Sequence, residues 1–229
     1  TTIFTSCTKK PIENSCTTNK KQVVPIAQKR YQKDEIAKVD IIDLSHHNSI
    51  GDWDKIKVKA IYHKATEGAT FVDNQYTKRQ IQAHKHNIYY GAYHLLSATS
   101  TAQKQFVNFK SVVNKDSIDL RPMLDIETTL YSQSVDNIRK LTREWVDLCK
   151  QHYGVIPIIY TADDFYRKYL AGYFNDCPYW SGDIKATKSP QYEWVLWQYK
   201  MDLVEGINGK IDCNTFNPNN TITDILFVR

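Results

Sequence analysis

Residues 120–129, LRPMLDIETT, form a short apolar segment that ends in two acids. Met123, Leu124 and Ile126 predict a buried strand, and Asp125 and Glu127 stand two positions apart. Because alternate side chains of a strand share a face, both carboxyl groups are expected on one face. Neighbouring carboxylates repel each other, so one tends to keep its proton near neutral pH, as a general acid must. The alternative from these residues alone is one solvated acid and one ion-paired acid.

Segments of strand and helix character alternate on both sides of this stretch. Strands are predicted over residues 39–44, 60–66, 88–96, 120–127, 155–161, 178–183, 194–199 and 210–214, and helices over 74–87, 101–114, 134–153 and 164–174. Strands that alternate with helices indicate parallel βαβ units. About eight strands in about 190 residues predict an α/β fold, a TIM-like (β/α) barrel with fewer helices in its C-terminal part.

Polar side chains collect at the ends of these predicted strands. Eight of them fall at or just after the C-terminal end of a strand: Asp43, Glu67, His94, Glu127, Tyr160, Asp183, Gln198 and Asp212. In (β/α) barrels the active site lies on the face formed by those strand ends. The sequence therefore predicts that these residues, or most of them, surround one site.

The basic charge of the chain is concentrated before residue 39. The 229 residues carry a net charge of +5, and residues 1–38 account for it with eight Lys or Arg against three acids. These residues lack a sustained apolar period, which predicts a basic, flexible leader or linker over 1–38 and a folded domain over 39–229. The domain itself is neutral and gives no nucleic-acid signature. No apolar run reaches membrane-spanning length.

The cysteines do not define a disulfide framework. They are five in number and lack metal-ligand spacing: Cys7, Cys16, Cys149, Cys177 and Cys213. Cys149 falls in a helical pattern and is interpreted as a buried thiol. A bridge between Cys7 and Cys16, or between Cys177 and Cys213, stays open at this point.

Seven short motifs follow one another along the chain: DLSHHN at 43–48, KATEG at 64–68, GAYH at 91–94, LDIE at 124–127, IYT at 159–161, WQY at 197–199 and IDCN at 211–214. Together they resemble the glycoside hydrolase family 25 lysozymes, the Chalaropsis-type N-acetylmuramidases, over residues 39–229. The resemblance implies an irregular, flattened β/α barrel. It also implies cleavage of the β-1,4 bond from N-acetylmuramic acid to N-acetylglucosamine in bacterial peptidoglycan.

Carried over position by position, the resemblance implies four acidic site residues. Glu127 is the expected general acid and Asp125 its partner carboxylate, while Asp43 and Asp212 complete the set. The first motif departs from the family pattern, because a second acid, Asp40, precedes Asp43. Asp43 is chosen because Leu-Ser-His-His follows it.

Glycoside hydrolysis requires one acid to protonate the leaving oxygen and one carboxylate to support the oxocarbenium-like centre. A carboxylate two positions before the acid can instead orient the 2-acetamido group of the sugar as the nucleophile. We therefore expect retention of configuration, and assistance by the 2-acetamido group is one route to it, in which Asp125 would be the orienting residue. Direct attack by a carboxylate, or inversion, stays open.

Substrate binding is assigned to aromatic and amide side chains near the same strand ends. Tyr93, Tyr160, Trp180 and Trp197 are expected to stack on sugar faces, and Gln198 to bind beside them. Without the motif match, aromatic residues on barrel strands are interpreted as core. The expected partner is the glycan strand of bacterial peptidoglycan. The protein is expected to be a monomer that acts outside the cytoplasm and is secreted, periplasmic or lipid-anchored. The lipid-anchored case rests on FTSC at residues 4–7, which resembles the end of a bacterial lipoprotein signal.

No cofactor and no metal are expected. His46, His47 and His94 have no ligand spacing and are interpreted as hydrogen-bonded structural residues. Two alternative functions remain. One is a metal-dependent deacetylase acting on the same polymer, and the other is a barrel that binds wall sugars without cleaving them.

Overall fold

The computed structural model describes residues 29–127 and 133–228. Its strands are β1 (Ile41–Leu44), β2 (Ser49–Ile50), β3 (Ala60–Glu67), β4 (Phe71–Val72), β5 (Tyr89–Leu95), β6 (Met123–Asp125), β7 (Ile158–Thr161), β8 (Tyr179–Gly182), β9 (Leu196–Leu203), β10 (Ile207–Asn208) and β11 (Lys210–Phe216). Eight of them pair in the order β1-β11-β9-β8-β7-β6-β5-β3, and β1 also pairs with β3, which closes a barrel. β4 extends β3 as a hairpin, and β2 pairs separately with β10. The predicted barrel is confirmed.

The helices surround one part of the barrel only. They are α1 (Lys33–Ile36), α2 (Tyr76–Lys85), α3 (Ala102–Val112), α4 (Val135–Tyr153) and α5 (Asp163–Phe165), which continues into a π-helical turn, Tyr166–Leu170. Single 3-10 turns lie at Trp53–Lys55 and Ile222–Asp224. Residues 183–195, between β8 and β9, contain no helix. The scarcity of helices predicted for the C-terminal part is therefore confirmed.

Helix α4 shows how local sequence sets an element. The Ser134 hydroxyl accepts a hydrogen bond from the Asn137 amide and caps the N-terminus. Ile138, Trp145 and Cys149 are buried along the side that faces the barrel. Gly154 ends the helix with φ of 79°, a left-handed conformation that a side chain disfavours. The helix therefore begins and ends where the sequence predicts.

The last barrel strand runs against its neighbours. β11 is antiparallel to both β1 and β9, whereas the other neighbouring pairs of the barrel are parallel. The prediction of parallel βαβ units is wrong here, because β9 and β11 are joined by a short hairpin that leaves no room for a crossover helix. β9 also runs to Leu203, four residues past its predicted end.

Two buried layers lie on either side of the barrel wall. The outer layer packs the strands against α2, α3 and α4 and includes Trp145, Phe109 and Trp197. The inner layer fills the barrel, and it consists of Ile41, Ala60, Tyr62, Tyr93, Leu120, Met123, Ile158, Trp180, Leu196, Phe216 and Ile225. Since the interior is solid, a ligand has access only at the barrel ends.

Residues 30–38 contact the barrel, although the sequence assigned them to the leader. The Arg30 guanidinium donates to the Ser189 carbonyl at 2.6 Å, and the Lys33 amide donates to the Thr187 carbonyl at 2.8 Å. Thr215 Oγ1 donates to the Ile36 carbonyl at 3.1 Å. Residues 30–38 are therefore hydrogen-bonded to the barrel, whereas the sequence predicted a flexible leader or linker as far as residue 38. Residues 1–28 lie outside the described residues.

Cys149, Cys177 and Cys213 are all buried free thiols. The bridge left open between Cys177 and Cys213 is thus not formed, and Cys7 and Cys16 lie outside the described residues. Within the ranges 29–127 and 133–228, the helices are all too short or too polar to cross a membrane.

Candidate active site

A cavity of about 290 Å³ opens at the C-terminal end of the parallel strands. It is lined by Asp43, Lys64, Tyr93, Leu95, Met123, Asp125, Glu127, Tyr160, Gln198 and Asp212. All four predicted acids are in this set. Asp43, Asp125 and Glu127 come from the C-terminal ends of β1 and β6 or just after them, and Asp212 comes from near the start of antiparallel β11. The interior aromatic side chains form the floor below them.

Asp125 and Glu127 reach the cavity from β6 and the segment that follows it. The sequence predicted a strand that includes Glu127, but β6 ends at Asp125. Glu127 therefore lies just past the strand. The backbone stays close to the sheet, because the Ile126 amide donates to the Tyr160 carbonyl at 2.9 Å. Asp125 is buried and Glu127 is exposed at the mouth of the cavity. The two carboxyl groups therefore occupy one site at different depths.

Both carboxyl groups hold a proton more readily than a solvated acid does. Burial raises the pKa of Asp125 well above its usual value, and the charges of Glu127 and Asp43 raise it further. Burial also raises the pKa of Glu127, where the Lys64 ammonium opposes the shift and Asp212 adds to it. Among the described residues, Asp125 Oδ1 is buried without a hydrogen-bond partner. This wall of the cavity thus holds a proton-binding acid and a free carboxyl oxygen.

Asp43 and Asp212 form the opposite wall. They are cross-strand partners on β1 and β11, which places their side chains on the same face of the sheet. Burial raises the pKa of both, and for Asp43 the neighbouring Asp212 raises it further. Asp40, the competing acid of the first motif, lies outside the cavity and pairs with Lys59 Nζ at 2.8 Å. The structure therefore places Asp43, and not Asp40, at the site.

Tyr93, Tyr160 and Gln198 line the cavity, as expected for substrate-binding residues. The Tyr160 hydroxyl donates to Gln198 Oε1. Gly182 makes room for this contact, because a Cβ built there would lie 2.6 Å from the Tyr160 hydroxyl oxygen. A side chain at residue 182 would push Tyr160 away from Gln198.

Trp180 and Trp197 do not line the cavity. Both are fully buried: Trp180 lies in the inner layer, and Trp197 lies in the outer layer beneath Lys33. Each indole N–H has a protein partner, Asn214 Oδ1 for Trp180 and the Asp183 carbonyl for Trp197, both at 2.9 Å. Their expected role as sugar-stacking surfaces is therefore replaced by structural roles, since neither ring face is open.

The histidines have partners away from the acids. His94 points to the outer layer, where its ring nitrogens contact Thr66 Oγ1 at 2.7 Å and Gln105 Oε1 at 3.0 Å. His46 Nδ1 pairs with Asp73 at 3.0 Å. In the ranges 29–127 and 133–228 there is no cluster of three or more His, Cys, Asp or Glu placed to hold a metal. His94 and Asp183, predicted at the active face, are thus not part of the cavity.

Two residues of the site were not assigned from the sequence. Lys64 lines the cavity and pairs with Glu67 Oε2 at 2.9 Å, and it is the cationic side chain among the lining residues. Asn214 lies two positions after Asp212 on β11 and donates to Asp43 Oδ2 at 2.8 Å. The period of two along a strand could have indicated Asn214, because it puts Asn214 on the same face as Asp212.

The β9–β11 hairpin extends the cavity wall beyond the barrel. Met201 is the cross-strand partner of Asp212, and Leu203 that of Lys210, so all four side chains share the face that lines the cavity. A bulge between Cys213 and Asn214 brings Met201 onto this face. Met201 is 48% exposed and Leu203 69% exposed. An apolar strip therefore continues outward from Asp212.

A barrel with carboxyl groups on two walls of a cleft at its C-terminal end is the arrangement of a glycosidase. The family model of glycosyl hydrolases family 25 matches residues 42–206. The chain belongs to this family and is a glycoside hydrolase of the lysozyme class, as the motifs predicted.

Relatives and solved structures agree with this placement. The chain is 30% identical over 187 residues to the uncharacterized protein YegX of Escherichia coli K12, covering 77% of this chain and 68% of that protein. It is 30% identical over 184 residues to the autolytic lysozyme of Clostridium acetobutylicum, covering 77% and 55%. The structure of a family 25 glycosyl hydrolase from Bacillus anthracis superposes with a TM-score of 0.73 at 25% identity, covering 84% of this chain and 95% of that one.

Proposed function

We propose that this protein is a peptidoglycan hydrolase that cleaves the β-1,4 bond from N-acetylmuramic acid to N-acetylglucosamine. The observation that carries the proposal is the convergence of Asp43, Asp125, Glu127 and Asp212 in one open cavity of a family 25 barrel. The site is made by one chain, which fits a monomer. Its substrate lies outside the cytoplasm, so we place the enzyme there, with residues 30–228 as the catalytic unit.

Glu127 acts as the general acid. It lies at the mouth of the cavity, where the oxygen between two sugars can reach it, and its pKa is raised, which is the direction that a general acid requires. Asp125 lies deeper and is less accessible to a bridging oxygen. Depth in the cavity therefore supports giving the proton transfer to Glu127 and a different role to Asp125.

Asp125 orients the 2-acetamido group of the sugar, in a substrate-assisted reaction that retains configuration. Its buried Oδ1 has no hydrogen-bond partner among the described residues, and a buried acceptor without a partner is costly. The amide N–H of a 2-acetamido group is a donor of the kind this oxygen lacks. Accepting that bond would hold the acetamido oxygen toward the anomeric carbon. Asp43 and Asp212 stabilise the positive charge that develops there.

Product analysis tests the proposal. Digestion of purified peptidoglycan should release fragments that end in reducing N-acetylmuramic acid, as identified by mass spectrometry after borohydride reduction. Exhaustive chelation should leave the rate unchanged, because carboxyl groups do the chemistry. Acetate release without shortening of the glycan, dependent on added zinc, would point instead to a deacetylase. Binding without any product would point to a wall-sugar-binding barrel.

A further inference from the structure

Asp43 and Asp212 should be difficult to keep ionised together. They are direct cross-strand partners, and like charges in that position repel each other. Burial disfavours the charge of each one further. The other titratable groups around them are Asp125, Glu127, Tyr93, Tyr160, Cys213 and Lys64, of which only Lys64 is a cation. Without a hydrogen-bond donor, both aspartates would therefore take up a proton more readily.

A buried chain of hydrogen bonds supports Asp43. The Trp180 indole, which is fully buried, donates to Asn214 Oδ1 at 2.9 Å. An indole N–H can only donate, so this contact fixes which end of the Asn214 amide is the carbonyl. The amide nitrogen then faces the other way, where it donates to Asp43 Oδ2 at 2.8 Å and to the Ile41 carbonyl at 3.3 Å. Trp180 thus determines that Asp43 receives an N–H.

A second chain of the same form supports Asp212. The Tyr160 hydroxyl donates to Gln198 Oε1, and the amide nitrogen of Gln198 is left to face Asp212, whose carboxylate can only accept. The Gln198 side chain hydrogen-bonds Asp212 and lowers the pKa of that carboxyl group against the effect of burial. Gln198 and Asn214 are themselves cross-strand partners on β9 and β11. The two amides therefore lie side by side below the two aspartates, each held by an aromatic donor.

We propose that Trp180 and Tyr160 are positioning residues, each of which holds an amide that donates to one aspartate and lowers the proton affinity of that aspartate against the effect of burial. This inference rests on the proposed function. It explains why Trp180, although buried away from the cavity, affects the chemistry: it acts through Asn214 and Asp43. Tyr160 acts in the same way through Gln198 and Asp212.

The test uses two variants that each remove one donor and keep an aromatic ring. Trp180→Phe and Tyr160→Phe should lower kcat on soluble peptidoglycan fragments about tenfold, as expected for a weakened hydrogen bond to a charged group, with KM changed less than about twofold. The pH profile of kcat/KM should also narrow. Its acid limb should move up by about 0.5–1 pH unit as the aspartate gains a proton more easily. Its alkaline limb should move down, because a neutral aspartate no longer helps Glu127 keep its proton.

Matched controls separate positioning from packing. Trp194→Phe removes a fully buried indole, and Tyr153→Phe removes a buried hydroxyl that donates to the Val113 carbonyl. Neither side chain has a link to the aspartates, so both limbs of the pH profile should stay in place. If Trp180→Phe fails to fold, Tyr160→Phe decides the question. A lower rate with unmoved limbs in the variants that fold would overturn the proposal.

A double-mutant cycle tests the route of the effect. If Trp180 acts through Asn214, Trp180→Phe should change the rate less than about twofold once Asn214→Leu has removed the amide. Additive losses would show that Trp180 acts by another route and would overturn the proposal. Both outcomes presuppose a wild-type enzyme that yields muramic acid ends. Failure of the proposed function would appear in the wild type itself, and so stays distinguishable.

Discussion

The two walls of the cavity carry the same kind of residue in opposite surroundings. On the β6 wall, Asp125 Oδ1 has no partner among the described residues, and Glu127 is exposed at the mouth. On the β1/β11 wall, Asp43 accepts a hydrogen bond from Asn214, and Asp212 accepts one from Gln198. The difference teaches that an amide partner offsets burial on one wall only, because Asn214 and Gln198 lower the pKa of Asp43 and Asp212 against the effect of burial while Asp125 Oδ1 has no such donor.

The largest effect is expected from Glu127→Gln. An amide of the same shape cannot donate a proton to the leaving oxygen, so kcat on peptidoglycan fragments should fall about a hundred- to ten-thousandfold. The melting temperature should hardly change, because the side chain is exposed. Glu144→Gln on α4, at an exposed ion pair with Lys140, provides the control and should retain full activity. If the variant kept more than about a tenth of the wild-type turnover, Glu127 would not be the general acid.

Asp125→Asn should lower kcat about ten- to a hundredfold, yet make the fold more stable at neutral pH. The folded-state pKa of Asp125 lies above its unfolded value, so the wild type loses stability as pH rises from about 4 through the folded-state pKa. The variant has no such loss. Its melting temperature at pH 7 should exceed that of wild type by about 2–4 °C, and the gap should close in acid.

Asp73→Asn is a control for that measurement in which the change in stability with pH should have the opposite sign. Burial alone would raise the pKa of Asp73, but hydrogen bonds from the Gln75 and His46 amides outweigh it, and the net pKa is lowered. A lowered folded-state pKa gives stability that is present above the unfolded value and is lost as pH falls. This variant should therefore melt below wild type at pH 7 and approach it in acid. Equal pH responses in the two variants would contradict the assigned directions.

The smallest effect is expected at the hairpin, where the β11 wall continues outward and the β6 wall does not. Met201→Ser with Leu203→Ser should lower kcat/KM on long glycan strands about three- to tenfold, since exposed apolar surface next to Asp212 can bind substrate. Rates on short fragments should hold. Lys200→Ser with Asp202→Ser, on the opposite face of the same hairpin, should change neither. Equal losses on long and short substrates would show that the strip acts on structure alone.

The sequence predicted the position of the cavity better than it predicted the roles of individual residues around it. Strand ends carrying Asp43, Asp125 and Glu127 were enough to indicate one cavity, because parallel strands bring their C-terminal ends together. Asp212 was indicated by the IDCN motif, and it reaches the same cavity from near the start of antiparallel β11. The sugar-stacking role expected of Trp180 and Trp197 was wrong, since a strand pattern shows which residues share a face but not which face is filled. A period of two also cannot show that β11 runs antiparallel, which depends on the length of its connection to β9.

By itself, the sequence determined the barrel, the paucity of helices after β8 and the four acids, because these follow from local periodicity, connection lengths and the ordered motifs. Only the tertiary structure decided how those acids differ. The partners of Asp43 and Asp212 come from Asn214, Gln198, Trp180 and Tyr160, which are 14 to 171 residues away along the chain. A carboxyl group's preference for its proton depends on burial, neighbouring charge and donated hydrogen bonds. Each of these arises only when distant strands are brought side by side.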